Sequence, residues 1–542
     1  MAIKLQSQEL HRYKLNKEEQ LWVYNGLDCA LTKEIAGVLR TQLEPETTEK
    51  TYRFSMAMHP AVLSMMQRGF RIDAEAVHLA LHGEPGATYT KDEVGRKKRY
   101  ETVEQAETET QNRRLGLYER FIRLGGMRKD PARKTGKWSV ADPEALLQVL
   151  AVAIWDRPLN FHSPKQLAEF LYGALRLPEQ TKIEKGKVKV LTNHEALEHL
   201  AQNYPRATVV CNIILELRGL EKLIEVLEKG IDEDGRMRCS FAIAGTETGR
   251  LSSSASVWDT GGNLQNITPE LRRIFVPDVG YTLGNVDLEQ AESRGVAYLA
   301  ADEAYIKACE SEDLHTTVAC MLFKIDKEQA KELYYRHFTY RDMAKRAGHA
   351  LNYGLSPASL ARNMHISQKQ AWRVYLLYLG GELEVAKAAN LGLADMEHVR
   401  EGRFWVFPGA FPGLKRWHQA TAEELELNGY LTTPVGRKRT FWGRLTDGKT
   451  LREAIAFRPQ SLIADMLNTG MVRIFNELPE VQLLAQVHDS LAFQIEKKKF
   501  DTLVPQVLDC LRVKTEIFGR ALVIPAEMKV GPNWRVMEKW TQ

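Results

Sequence analysis

Two aspartates sit where an acid can act on a phosphate. Asp287 closes the apolar run that starts at Tyr281, and Asp489 breaks the run from Val481 to Ile495 as His488-Asp489-Ser490. Both runs read as strands, the second as a hairpin with the acid at its tip. If the strands are neighbours in one sheet, two hard carboxylate donors meet from distant parts of the chain. Together they can hold two Mg²⁺ ions about 3.5–4 Å apart, placed to activate an attacking hydroxyl and steady a leaving pyrophosphate. Taken singly, each aspartate is an ordinary turn or cap residue. A second pattern changes that weighting: Arg341, Lys345, His349 and Tyr353 recur every fourth position before Gly354. A four-residue step advances an α-helix by about 400°, so these side chains share one face, cations first and rings next. Such a face suits a polyanionic tail at one end and a flat base at the other, although a solvated basic helix is the plainer reading. Acid pair and basic face together favour phosphoryl transfer to a nucleic-acid end.

The elements that must position these groups follow from spacing and punctuation. Residues 1–45 read as a short helical piece, with Leu21, Val23, Leu27, Leu31 and Ile35 at helical spacing. Within it Tyr24 and Asp28 lie one turn apart, a pair a metal-dependent nuclease could use and a surface pair otherwise. An apolar helix from His59-Pro60, carrying Ala61, Val62, Met65 and Met66, ends at Gly69 and passes into an extended piece at 71–73. Residues 75–230 are mostly helical, broken near 83–86, 125–136 and 177–187. One basic break holds Arg128, Lys129, Arg133, Lys134 and Lys137; another holds Lys182, Lys185, Lys187 and Lys189, alternating with Ile183, Val188 and Val190 as a small hairpin does. Either is a solvated loop or a sequence-independent phosphate contact along a duplex. Arg250, Gln265 and Asn266 are forked donors and amides able to reach base edges and sugar oxygens. A helix starts across 287–294, the stretch 295–400 is mostly helical, 429–445 has turn and strand signals with Arg437, Lys438, Arg439 and Arg444, and a helix over 451–478 bears Arg452 and Gln460.

Composition narrows the class. A chain of 542 residues with 44% hydrophobic and 27% charged residues can bury the core of a large enzyme. No apolar run approaches the ~18–20 residues of a bilayer span, so no membrane partner is expected. The N-terminus lacks the apolar core of a signal peptide, which predicts a cytoplasmic, intracellular protein. Six cysteines without a CxxC pair suit reduced thiols and argue against a zinc module. A net charge of +4 proves no nucleic-acid partner by itself.

Several motifs in order then resemble one family. Asp-x-x-x-x-Glu-x-Arg at 287–294, Arg-xxx-Lys-xxx-ring-xxx-Tyr-Gly at 341–354 and Val-His-Asp at 487–489 resemble motifs A, B and C of the family A DNA polymerases, the class of bacterial DNA polymerase I and many phage replicases. Thr-Gly-Arg-Leu-Ser-Ser at 248–253, Asn-Leu-Gln-Asn-Ile at 263–267, Asp-Leu-His at 313–315, Arg452 with Gln460, and Gly531-Pro-Asn-Trp534 extend the resemblance. It implies an α/β (α+β) chain in the right-hand polymerase fold, with an antiparallel palm sheet, helical fingers and a helical thumb. The implied domains are a C-terminal remnant of a 3′–5′ exonuclease at 1–45, palm entry at 46–80, thumb at 81–230, palm at 231–300, fingers at 301–425 and palm again at 426–542. The activity implied is template-directed addition of dNTPs to a primer 3′ end on primer-template DNA. Asp287 and Asp489, with the Leu288 carbonyl, would ligate two Mg²⁺ ions. His315, Arg341 and Lys345 would grip the triphosphate, Lys345 also protonating the pyrophosphate. Gln290, His349 and Tyr353 would complete the dNTP site, and Glu292 would occupy the space a ribose 2′-hydroxyl needs. Arg250, Gln265, Asn266, Arg452, Gln460 and His488 would face DNA, and Lys182, Lys185 and Lys187 would grip duplex from the thumb tip.

The sequence departs from the pattern at three positions. His349 stands where Phe or Tyr is usual, which puts selection at the sugar 3′ position in question; Ser490 replaces a Glu, and Ala456 an Asn. The Tyr24/Asp28 pair is similar to the last motif of the proofreading nuclease, whose earlier carboxylates are not found. No autonomous proofreading is therefore expected, and either the nuclease is lost or a separate exonuclease polypeptide supplies it. A processivity factor is the alternative partner, and 124–158 is a candidate contact for an accessory protein. The rival readings are a single-subunit phage-type RNA polymerase, disfavoured by Glu292, and a catalytically silent DNA-binding scaffold, disfavoured by the two aspartates.

Overall fold

The computed structural model describes residues 16–82, 89–91, 97–99, 146–184, 187–256, 260–269, 271–335, 338–364 and 366–541. Helix α1 (Lys17–Thr41) starts from a capping box in which Asn16 and Glu19 bond each other's backbone N–H. Its Leu21, Tyr24, Ile35 and Val38 are exposed, as is Trp22 at 68%. Tyr24 and Asp28 both lie on its surface. Helix α2 (Lys50–Arg68) begins well before the expected start at His59-Pro60 and carries Pro60 inside it. Burial of Met58, Ala61, Val62 and Met65 on one stripe outweighs the hydrogen bond the proline removes. The helix stops at Gly69 (φ 62°), where a Cβ would lie 2.8 Å from the Met237 carbonyl oxygen. Only glycine fits there.

The alternating lysine stretch forms the expected hairpin: β1 (Thr181–Glu184) pairs with β2 (Lys187–Val190), Lys182 opposite Lys189. Lys185 and the basic stretch 128–137 lie outside the described residues, as does most of 124–158. Behind the hairpin, α3 (His194–Asn203) packs on α4 (Pro205–Lys229). Arg218 of α4 donates to the carbonyls of Thr192 (2.9 Å) and Phe161 (2.8 Å), tying the hairpin base to the helices.

Strand β3 (Tyr281–Leu288) leads into α5 (Ala291–Leu299). Helices α6 (Leu314–Phe323), α7 (Tyr340–Asn352), α8 (Gln368–Leu379) and α9 (Leu383–Ala388) follow. The mostly helical stretch also holds a small sheet that its spacing did not announce: β4 (Gly381–Glu382), β5 (Val399–Glu401) and β6 (Phe404–Phe407), in the order β4-β6-β5. The aromatic and β-branched run Phe404-Trp-Val-Phe407 is its seed. Helix α10 (Pro412–Asn428) precedes α11 (Gly448–Glu477), which threads the core with Ile455, Leu462, Ile463, Met466 and Met471 buried.

The last strands are β7 (Gln482–Val487), β8 (Ser490–Glu496), β9 (Ala526–Gly531) and β10 (Glu538–Lys539). They enclose β3 in an antiparallel sheet of order β7-β8-β3-β9-β10. Gly284 sits in β3 because a Cβ there would come within 2.7 Å of the Phe493 ring on β8. The basic 437–444 segment is not a free patch: Arg437 pairs with Asp465, Lys438 with Glu44, and Arg439 with Glu453.

Candidate active site

The sheet brings the two aspartates together. In register, Asp287 stands opposite Ser490 on β8 and Glu527 on β9, and the Leu288 N–H donates to the Asp489 carbonyl at 3.0 Å. Asp489 lies in the tight β7–β8 turn, whose first residue, His488, is exposed and left-handed (φ 53°). Across from it Gln290 is left-handed as well (φ 53°, ψ 32°), ending the strand and aiming α5. Two left-handed non-glycine residues, one next to Asp489 and one three residues after Asp287, mark backbone over-determined by its surroundings. The Gln290 Oε1 is buried and lacks a hydrogen-bond partner.

Burial raises both carboxyls above the usual range. Asp287 is pushed up to about 6, first by burial and then by the negative charge of Asp489. Asp489 is raised by burial, against the pull of Arg250. Asp287 is open to solvent at the strand end and Asp489 is half-buried, so two oxygen donors that repel there are within reach of divalent cations, which would relieve the repulsion. Among the described residues no cluster of three or more His, Cys, Asp or Glu side chains forms.

Glu292, in the first turn of α5, joins three segments. Its Oε1 accepts from Arg250 Nη2 at 2.5 Å and its Oε2 from the Tyr353 hydroxyl at 2.6 Å. Arg250 Nη2 also reaches Asp489 Oδ1 at 3.4 Å. Burial, with Glu292 against it, raises the Tyr353 phenol well above its ordinary value and keeps it protonated. The Arg250 loop is itself held from beneath. Asn468 Nδ2 donates to the Gly249 carbonyl (3.2 Å), Gln486 Nε2 to Asn468 Oδ1 (2.9 Å), and Gln265 Nε2 to the carbonyls of Leu251 (2.9 Å) and Gln486 (3.4 Å). Gln265 thus braces the loop, whereas Asn266 is exposed. Neither Asn468 nor Gln486 was singled out by sequence; an amide inside the apolar Gln482–Val487 run was the available signal. The buried Arg437–Asp465 pair closes the set, Arg437 Cζ lying 2.4 Å from where a Cβ on Gly249 (φ 78°) would stand. Gly249→Ala should therefore displace Arg437 and lose about 1–3 kcal/mol of stability, a shift that calorimetric unfolding reads.

Helix α7 presents the repeated face as its spacing requires. Thr339 and Asp342 form a capping box, and Met343, Ala344, Ala347, Gly348 and Leu351 bury the opposite side. Gly354 (φ 70°) follows its end. On the open side Arg341 is already paired, Nε and Nη2 donating to Asp313 at 2.9 and 3.2 Å. Asp313 also caps α6, which carries His315. Lys345 is exposed and forms no ion pair among the described residues. The His315 and His349 rings lie 5.8 Å apart across the two helices. Burial, then His349, Arg341 and Lys345, lower His315 to about 4; burial lowers His349 also. Beyond His349 opens a cavity of about 650 Å³ lined by Tyr353, Arg452, Ala456 and Gln460. The contacts of Arg250, Glu292 and Tyr353 link Asp489 to the end of α7 and to the cavity that Tyr353 lines. Lys182 stands on the hairpin beyond α3, exposed, with Lys187 across the turn from it in β2.

A family model described as DNA polymerase family A matches residues 141–391 and 402–536. The chain belongs to DNA polymerase family A. This family A chain is 29% identical over 414 residues to the thermostable DNA polymerase I of Thermus aquaticus, covering 73% of this chain and 44% of that protein. It is 29% identical over 401 residues to DNA polymerase I of Bacillus caldotenax, covering 69% and 40%. The chain thus spans about two fifths of the length of the curated relatives it matches. Among solved structures it is similar to the POL domain of Pol1 from M. smegmatis in complex with DNA primer-template and dNTP, with a TM-score of 0.60 and 21% identity over 89% of this chain and 70% of that one. The fold is the right-hand polymerase fold that the motifs implied, mixed α and β with an antiparallel palm sheet. No described helix is long and apolar enough to cross a membrane.

Proposed function

We propose that the chain is a template-directed DNA polymerase that adds dNTPs to a primer 3′ end and releases pyrophosphate. The observation that carries this reading is Asp287, at the end of the central strand, beside Asp489 in the β7–β8 turn, with Arg250, Glu292 and Tyr353 linking that pair to the end of α7. In it Asp287, Asp489 and the Leu288 carbonyl hold two Mg²⁺ ions, whose chemistry when bound is activation of the primer 3′-hydroxyl and stabilisation of the leaving pyrophosphate. Arg341, Lys345 and His315 bind the triphosphate, and Lys345 supplies a proton to the pyrophosphate. Gln290 and His349 line the dNTP site and Tyr353 packs at the new base pair. Glu292 excludes a ribose 2′-hydroxyl. Arg250 and Gln460 read the minor groove, Arg250 giving up its contact with Asp489 to do so. Asn266 and Arg452 contact the DNA, His488 lies at the primer end, and the 182–187 hairpin holds duplex. The division proposed is remnant 1–45, palm entry 46–80, thumb 81–230, palm 231–300, fingers 301–425 and palm 426–542.

The test is a 5′-labelled primer–template with Mg²⁺. Extension by dNTPs with no shortening when they are omitted supports a polymerase without proofreading of its own. Shortening assigns nuclease activity to the chain, and RNA made from NTPs favours the RNA polymerase reading.

The two histidines add a pH dependence. At pH 8 both are neutral, their pKa values lying below the ordinary histidine range. A bound triphosphate brings negative charge against both rings and raises their proton affinity. The KM for dNTP of the wild type should then fall, relative to that of His349→Phe, as pH is lowered from 8 towards 6. Parallel profiles would remove the imidazole from triphosphate binding. The same substitution should change the ratio of dideoxynucleotide to deoxynucleotide incorporation.

A further inference from the structure

We infer that the groove beside Trp405 is a second nucleic-acid contact, taking an unpaired base of the single template strand ahead of the primer end; it rests on the polymerase reading above. The groove, about 460 Å³, lies between α9, the 390–394 loop and the β5–β6 hairpin. Its floor is apolar, from Leu383, Ala386, Leu391 and Leu393, and Trp405 forms one wall. Its polar lining is Lys387, which is paired with Glu384 at 3.0 Å on the same helix, Asn390 and His398. The indole remains 46% exposed although His398 stands edge-on against it at 5.2 Å. Directly across the hairpin from Trp405 is Arg400, whose Nε bonds the Gly402 carbonyl and which forms no ion pair among the described residues. Arg403 follows in the turn, exposed.

These are the parts that bind single strands without regard to sequence: a ring on which any base can stack, an apolar floor that excludes water, and a cation at the rim for the phosphate. A base stacked on the indole would have to be free of its partner, so bases already paired in duplex are not its occupants. Strand addition by a peptide is a poorer fit, because the free edge is only the three residues Val399–Glu401, two of them charged. The other hairpin face sets Glu401 opposite Phe404, a carboxylate no phosphate backbone would favour. The hairpin is also firmly mounted. Leu376, Leu383, Ala386, Leu393, Met396 and Phe407 form a small core of their own, and the Ala410 and Phe411 N–H groups bond the Leu377 and Tyr378 carbonyls of α8. Tyr378 in turn reaches α7 at Gly348. A strand held here would be fixed relative to the helix that faces the nascent pair. The family match is interrupted at 392–401, which covers the groove loop and β5. The contact belongs to this chain's own elaboration of the fold.

The test compares two primer–templates with the same duplex and template overhangs of one or about ten nucleotides, by fluorescence anisotropy. The wild type should bind the long overhang at least about fivefold more tightly. Trp405→Ala should erase that gain, Trp405→Phe should keep most of it, and Arg400→Ala should reduce it and flatten its salt dependence. Equal affinity for both overhangs, or a gain that survives Trp405→Ala, overturns the assignment. An equal loss on both substrates gives Trp405 to the fold instead and overturns it too. If the short-overhang substrate is neither bound nor extended by the wild type, the polymerase reading fails and takes this contact with it; normal extension with no overhang effect removes the contact alone.

Discussion

Asp489→Ala should lower the rate of primer extension by at least about a thousandfold and leave the chain folded. The loss follows from removing one of two carboxylates able to hold the cations, whose stabilisation of transition-state charge is worth several kcal/mol, with each tenfold about 1.36 kcal/mol. The fold survives because the carboxyl is itself held above its usual range by burial, so its removal relieves a desolvated charge. Arg250 also keeps Glu292 as partner. Single-turnover extension beside a thermal melt separates the two effects. Activity within tenfold of wild type, at unchanged stability, would deny Asp489 its place as a donor.

The second large effect is Glu292→Ala, which should lower discrimination against ribonucleotides by about a hundredfold or more, read as the ratio of kcat/KM for a dNTP and the matching NTP. The geometry adds a consequence that a purely steric view omits. Glu292 accepts from both Arg250 and Tyr353, so the alanine takes away their shared carboxylate and leaves Arg250 only its longer contact with Asp489, at about 1–3 kcal/mol. Activity with dNTPs should fall as well. Glu292→Gln keeps the volume and should retain discrimination while weakening the Arg250 contact. Unchanged discrimination in the alanine variant would remove Glu292 from the sugar site.

The palm was legible because its strands are long apolar runs, and a period-two pattern with an acid at its end survives any context. The α7 face was legible for the same reason: a repeat of four over thirteen residues admits one geometry. Less visible was whatever joins distant segments through single polar contacts. Nothing local tells that Arg250, Glu292 and Tyr353 meet, or that Arg437 is paired with Asp465 under Gly249; read as a basic cluster, 437–439 suggested a surface. The start of α2 was missed because Pro60 normally ends a helix, and packing overrode that preference. The β5–β6 hairpin was overlooked inside a helical stretch because four residues give too short a window for periodicity, although their aromatic and β-branched types favour a strand.

The register of the central strand has a consequence for how the protein comes into being. Both neighbours of β3 lie in the last tenth of the chain, so as it leaves the ribosome β3 waits unpaired for 490–496 and then 526–531. Helices α3 and α4, built from local contacts, can form long before. The acid pair is therefore assembled last. A nascent chain halted before β8 has its earlier helices and an open strand edge, with neither the acid pair nor the cover that keeps such an edge from pairing with another molecule.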